Sequence, residues 1–509
     1  MAPVTIPLAK QSNPGRNFGD GSGRLINCYV EPRGEEGRHQ TPVYPVDGIT
    51  LFASLPVQTT EEDEGYVLLQ DGEILLAQDD STFILEGNPF AAARSNPDKG
   101  IQELIEDHGA LWAITGTGAY KIDQGGDTTF IGNIPGASVI TAEKNRVNQI
   151  GIVSDSTYLV LDTLSEELID YSDQLVQAPN STCHYNGYTI VTYANSLWQW
   201  SSLNQATTWN ANDTATAIFK GDLLRRCLTR AGDLLLFGDE TLEFWTDANA
   251  SNNAIMTRIT AIDVGIGAPL SAINLDQAVL FVDNDYSVRV VQNYSTKIVS
   301  TSFISRTIRK AADRANIRAT SYERDGHLFY SISCAQFTLT YNMATSLWHE
   351  EKTYGMDRRI VSVVEKMNGV YYAGNYREGT VYTLSNDIHK DGSDPLVMEV
   401  ITPPVHAFPN RVRVKSLYID ALFGTALAAD VTDDESNPKL SVWVSEDDGE
   451  NFIFLEELSL GDINSKYEEL RVQGVGTSDQ NGFVFKLAIS TPVVRGILGM
   501  SADVNPVRA

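Results

Sequence analysis

Along most of this chain apolar and polar positions alternate with a period of two, in short runs cut by Gly, Asp and Asn. That period belongs to a strand with one buried face, because successive side chains point to opposite sides of a sheet. The segments "GALWAITGTGAYKIDQGGDTTFIG", "DSTYLVLD", "NGYTIVTYANSLWQWSS", "GDLLLFGDETLEFWTD" and "DGHLFYSISCAQFTLTYNMATSLWHEE" repeat one scheme. A strand meets a tight turn such as "QDGE" or "TGTG", a second strand follows, and a looser link leads to the next pair. Hairpins at such even spacing predict an all-β fold built of propeller blades. Residues 46–388 give room for six to eight blades of roughly 40 to 50 residues each. A pair of β-sandwiches is the competing architecture. Residues 1–45 read as an N-terminal arm with the first strands.

One stretch departs from the period of two. In "TSFISRTIRKAADRAN", residues 301–316, Ile304, Ile308, Ala311 and Ala312 fall on one face of a helix, while Arg306, Arg309, Lys310 and Arg314 fall on the exposed side. Cations near a helix C-terminus suit its dipole, so this face is either a solvated surface or a contact for an acidic partner or DNA. The turn-rich "NDIHKDGSDP" at 386–395 and "TPP" at 402–404 mark a domain boundary, which places a C-terminal β-sandwich-like domain at 389–509. Its strands include "KLSVWVSEDD", "NFIFLEELSL" and "GFVFKLAIST", and in the last of these Phe483, Phe485, Leu487 and Ile489 share a face. In "RVRVKSLYIDALFG" the same alternation puts Arg411, Arg413 and Lys415 on one side and Val412 and Val414 on the other. That stripe suits pairing with acidic residues of a neighbouring subunit or contact with DNA, against the plain alternative of an unpartnered strand face.

The segment "WVSEDDGENFIFL", residues 443–455, matches the S-x-D-x-G-x-x-aromatic Asp box of sialidase propellers through Ser445, Asp447, Gly449 and Phe452. Each of these residues also has a local use in a hairpin. Short Ser and Asp side chains bond nearby backbone N–H groups, Gly449 accepts a positive φ, and Phe452 restarts the apolar strand. A structural turn is the expected role, not a sugar site.

At 509 residues the chain exceeds one ordinary core, which predicts two or three domains. Hydrophobic residues at 42% and charged residues at 20% are the balance of folded material, not of extended disorder. No apolar run approaches the roughly 18 to 20 residues of a membrane span, and "MAPVTIPLAKQSNPG" lacks the basic start and apolar centre of a signal peptide, so folding in a cytoplasm is expected. Cys28, Cys183, Cys227 and Cys334 lie far apart without a C-x-x-C, which predicts reduced thiols, not a disulfide framework or metal site. A formal charge of −28 argues against a surface that grips phosphates, though not against one past which nucleic acid slides. Acidity for solubility is the plain reading.

The sequence has no phosphate-binding G-x-x-x-x-G-K-[ST], no G-x-S-x-G, no H-E-x-x-H and no complete EF-hand loop. The seven histidines, among them His108, His184, His327 and His349, lack metal spacing. Acidic loops at 59–65, 282–287 and 430–438 read as solvated turns, because no spacing gathers enough oxygens for a cation. No catalytic residue, metal or cofactor is expected.

The order of several short segments adds what periodicity cannot. "RLINCYVEP" at 24–32 sets Asn27, Tyr29 and Glu31 in an N-x-Y-P-E-like order, and "TPVYPVDGITLF" at 41–52 follows with Val-Asp-Gly where a Pro-Gly is commoner. "SLNQATTWNAND" at 202–213 keeps Trp209, and "LLLFGDETLEFWTDANASNNAIMTRITAIDVGIGAPLSAINL" carries Gly238, Thr241, Glu243, Trp245, Gly265 and Gly267. "VRVVQNYSTKIVSTSFISRTI", "TLTYNMATSLWHEE" and "SEDDGENF" complete the series. In this order the segments resemble, over nearly the whole chain, the tail-hub or nozzle proteins of short-tailed bacteriophages, the packaged-DNA stabilisation family.

The resemblance implies a structural virion protein without enzymatic activity, assembled in the host cytoplasm into the phage tail. It implies a propeller-bearing ring, a hexamer, below the portal and its adaptor ring, which retains packaged DNA and forms the channel for its ejection. The implied partners are further copies of the chain, the portal-adaptor ring, tail fibre, spike or needle proteins, and double-stranded genomic DNA in passage, with no stable membrane insertion. Physical reasoning agrees, since every neutralised phosphate would add affinity and hence friction, whereas acidic walls repel a duplex over roughly 8 Å at physiological salt. A receptor- or glycan-binding phage tail protein is the alternative, and a sialidase-like glycosidase a further one. The first calls for paired carboxylates in an aromatic-lined cleft and the second for several arginines converging on one site.

Overall fold

The computed structural model describes residues 3–15, 21, 23–33, 40–56, 67–68, 74–75, 100–136, 139–248, 256–275, 278–426 and 433–507. The acidic loop at 59–65 and the first part of that at 430–438 therefore lie outside the described residues. Among these residues, successive four-stranded antiparallel sheets occupy 101–133, 140–170, 179–216, 224–262, 273–298, 318–350 and 361–385, the last completed by Gly48–Ser54. They are numbered here as blades one to seven. The first strands of consecutive blades lie side by side, and that of blade seven, Val361–Met367, lies against that of blade one, Ile101–Asp107. The ring is thus a closed propeller. Its closure is a strand from the start of the chain: Gly48–Ser54 pairs with Thr380–Ser385, Ile49 opposite Leu384.

The blades follow from local chemistry. In blades one, three, four, six and seven the first hairpin turns through two residues of positive φ: His108-Gly109, Asn186-Gly187, Ala231-Gly232, Asp325-Gly326 and Asn368-Gly369. Turns of this kind carry the twist that two flanking strands require. The second strands, such as Ala110–Thr115, Tyr188–Tyr193 and Ala278–Val282, are buried along their whole length between neighbouring blades. First strands are less buried: Ile101–Asp107 and Arg318–Arg324 keep most of their residues only partly covered.

Two further sheets pack face to face as a sandwich. One holds Cys28–Val30, Val43–Pro45, Ile497–Val507, Arg411–Ala421 and Leu470–Thr477 in that order, with Val4–Ile6 also paired to Ile497–Val507. The other holds Arg24–Ile26, Met398–Ile401, Val484–Ile489, Lys439–Ser445 and Ile453–Ser459. Val412, Val414, Leu417, Leu440, Val442, Phe485 and Leu487 meet in its core. The first 45 residues thus give strands to both layers of the sandwich. The second sheet is continuous with blade six, since Ile26 pairs in parallel with Glu350 on the blade's outer strand. Arg24 clamps the same join with an ion pair of 2.6 Å to Glu350.

The helix between blades five and six is shorter than its periodicity predicts. It spans Ser302–Lys310, is capped by the Thr301 side chain, which accepts from the Ile304 N–H, and buries Ile304, Ser305 and Ile308. Ala311 is already extended and buried, so the chain turns toward blade six there and leaves only a single 3-10 turn at Arg314–Asn316. The acidic segment at 282–287 is a turn: Asp283 accepts from the N–H groups of Asp285 and Ser287 and pairs with Arg289 at 2.5 Å. All four cysteines are free and buried.

Candidate functional site

Charged side chains of the first strands converge on the propeller axis. Arg318 of blade six reaches past blade seven to blade one, where its Nη1 lies 2.9 Å from Glu103 Oε1 and also donates to the Gln102 carbonyl. Glu143 of blade two feels the charge of Arg226 of blade four. Glu365 of blade seven feels Lys144 of blade two and Glu106 of blade one, and Lys144 Nζ is 3.3 Å from Glu106 Oε2. Burial pushes the Glu143 and Glu365 carboxyls up to about 7, since a narrow channel strips water from the charged form. Arg226 Nε and Nη1 and both ring nitrogens of His184 are buried there without a protein partner among the described residues. Side chains of the first strands therefore pair over the intervening blades.

A second charged group sits where blades six and seven meet the sandwich. Arg359 donates to Glu351 at 2.7 Å and to the Asp47 carbonyl, and lies 3.5 Å from Asp391. His349 Nε2 is 3.2 Å from Glu351, and the Thr340 hydroxyl donates to it at 2.7 Å. Burial alone would raise the Glu351 carboxyl, but Arg359 and the bonds from His349 and Thr340 outweigh it and hold the group at about 2. Closed to solvent, this network joins elements and offers no site for a ligand.

The residues singled out from sequence lie elsewhere. In the Asp-box turn the Ser445 hydroxyl bonds Asp447 at 2.6 Å and accepts from the Gly449 N–H at 2.8 Å, while Asp447 accepts from the Asn451 N–H at 2.9 Å and from its side-chain amide at 2.7 Å. The Ser445 hydroxyl and the Asn451 donors hold Asp447 at about 2. Gly449 has φ +90°, and Phe452 lies just before the strand, its ring 5.3 Å from the Lys486 ammonium. The Ser445 hydroxyl and the Asp447 carboxylate are thus both engaged within the turn itself.

Arg411, Arg413 and Lys415 are exposed on the outer face of the sandwich, and Val412 and Val414 are buried beneath them. Arg411 donates to the Ser478 carbonyl at 2.7 Å, and Asn481, on the same loop, bonds Asp448, so the stripe and the Asp box share one end of the sandwich. The helix cations are not part of this grouping. Arg306 bonds the Gly15 carbonyl, Arg309 the Asp285 carbonyl at 2.9 Å, and Arg314 lies 4.8 Å above the Tyr286 ring, while Lys310 is exposed. Sequence reading passed over the channel residues. Their signal is present nonetheless, in charged first strands such as "IQELIED", "LRRCLTR" and "RATSYER" set before largely apolar second strands.

No curated protein matches the chain. Among solved structures it is similar to the extracellular domain of a putative one-component system from B. thetaiotaomicron, at 11% identity over 78% of this chain and 57% of that one, with a TM-score of 0.41. It is also similar to BamB from Moraxella catarrhalis, at 11% identity, 56% and 93% coverage and a TM-score of 0.35. The computationally designed Ika8 protein shows 9% identity, 56% and 96% coverage and a TM-score of 0.35. A family model described as bacteriophage P22 Gp10, beta-propeller, matches residues 92–453. The chain belongs to that family. The packaged-DNA stabilisation proteins are structural proteins of phages, and the span matched here takes in blades one to six, the three consecutive strands of blade seven and the Asp box. Among the described residues the family's propeller is, in this member, a ring of seven blades closed by Gly48–Ser54.

Proposed function

We propose that this packaged-DNA stabilisation protein is a tail hub or nozzle subunit, several copies of which form a ring below the portal and its adaptor. The ring retains packaged DNA and forms the channel for its ejection. Family membership across residues 92–453 carries the reading. The narrow middle of the propeller supports it. The Arg318–Glu103 pair joins first strands two blades apart, so the inner strands stand within side-chain reach of one another, closer than a duplex whose major groove alone is roughly 12 Å wide would need. Passage of DNA then requires several copies around a common axis, and the acidity of the chain keeps such a passage from holding phosphates. Its partners in this reading are other copies, the adaptor ring and the fibre, spike or needle proteins beyond it.

The test is a particle assembled without the protein. It is expected to package DNA and then lose it, which nuclease sensitivity of the packaged genome measures over time. Stable, infectious particles lacking the chain are the result that ends the proposal.

A further inference from the structure

Phe408 is 75% exposed at the tip of a tight turn, held by the Asn410 N–H donating to the Ala407 carbonyl at 2.9 Å. Directly behind it, Arg411, Arg413 and Lys415 stand exposed at the start of Arg411–Ala421. Toward the other end of that strand lies a groove of about 680 Å³ in the same outer face. Thr5, Ser501 and Tyr418 line up across three adjacent strands as its floor, and Tyr467 forms a wall. The segment that carries Tyr467 also exposes Asp462, Glu468 and Glu469, which together with Asp420 in the lining outnumber the two cations there, Lys466 and Lys10. An aromatic knob with basic flanks and an aromatic groove with an acidic rim thus occupy opposite ends of one strand. Arg411 and Tyr418 are seven positions apart on that strand, roughly 23 Å. A knob at that remove cannot fill its own groove.

We infer that the knob at Phe408 docks in the Tyr418–Tyr467 groove of a second copy of this chain, with Arg411, Arg413 and Lys415 facing Asp462, Glu468 and Glu469 across the contact. The inference rests on the hub reading and names the surfaces that would build its ring. Two different patches on each copy make the contact head-to-tail, so it repeats around an axis without ending at a dimer. A buried aromatic anchor within a rim of complementary charge is also the usual layout of binding energy at an interface.

Mass photometry of the full-length chain over a concentration series tests this. Phe408→Ala and Ser501→Trp, which remove the knob and fill the groove, are each expected to raise the concentration of half-assembly by about tenfold or more. Inverting the stripe with Arg411→Glu, Arg413→Glu and Lys415→Glu is expected to do the same. Adding Asp462→Lys, Glu468→Lys and Glu469→Lys to that variant should restore assembly, which a misfolded chain could not do. Circular dichroism melts verify that each variant is folded. If the wild type assembles and folded variants assemble equally well, or the combined inversion fails to rescue, the docking inference is wrong and the hub reading stands. A wild type that stays monomeric at every concentration, with and without the adaptor ring, overturns both.

Discussion

Arg359 carries a full charge into the interior between blades six and seven, where Glu351 and Asp391 balance it. Removing one partner of such a pair strands the other, which costs about 3–5 kcal/mol. Glu351→Gln is therefore expected to destabilise the fold by about that much in urea unfolding. The pH dependence follows from the same group. Its folded value of about 2 lies below its ordinary 4.5, so its stabilisation is fully present above 4.5 and is lost as pH falls toward 2. Glu143 and Glu365 act with the opposite sign. Their folded values of about 7 exceed 4.5, so the folded state binds more protons in between, and stability declines as pH rises from 4.5 to 7. Glu143→Gln should flatten part of that decline in melting temperatures taken across this window. At this scale legibility depended on distance along the chain. Asp447 bonds residues within four positions and could be read from sequence, and its replacement by Ala should lower the melting temperature without removing any glycosidase activity. Arg359 bonds the Asp47 carbonyl 312 positions away, and no local pattern records that contact.

Elements were legible wherever one face is buried and the other is wet. The strand Arg411–Ala421 begins with three cations out and two valines in, as a period of two dictates, and Phe483, Phe485, Leu487 and Ile489 are each fully buried. The helix end was not legible, because Ala311 and Ala312 suit a helix and only tertiary packing turns the chain at Ala311. Turn chemistry gives a prediction. Where other first hairpins place His, Asn or Asp before Gly, blade four places Ala231 at φ +46°, a region that costs an alanine roughly 1 kcal/mol and suits Asn. Ala231→Asn is expected to stabilise the fold by about 0.5–1 kcal/mol in the same urea measurement.

At the scale of the whole molecule the number of blades lay within the range that hairpin spacing predicted, but the partnership between the two ends of the chain did not show in the sequence. Nothing in "GITLFAS" says that it will pair with residues 380–385, because a strand's pattern fixes which face is buried and not which strand lies beside it. A chain starting at residue 57 would leave the edge of Thr380–Ser385 bare and would take four strands from the sandwich as well. It is expected to be cut early within blade seven by limited proteolysis, read by mass spectrometry, and to aggregate through that edge.

The closing strand of the propeller and the first strand of the sandwich also leave the ribosome long before the strands they pair with. Val4–Ile6 pairs with Met500–Ala502, almost a full chain length later, and at about 5–20 residues per second that partner follows roughly 25–100 s behind. Gly48–Ser54 waits with a bare edge until residues 380–385 emerge, and Val4–Ile6 waits longer still, until residues 500–502 complete the sandwich. A subunit whose synthesis stops just short of Met500 therefore has a closed propeller but an unfinished sandwich, and the order of translation delays that domain's surfaces until late in synthesis.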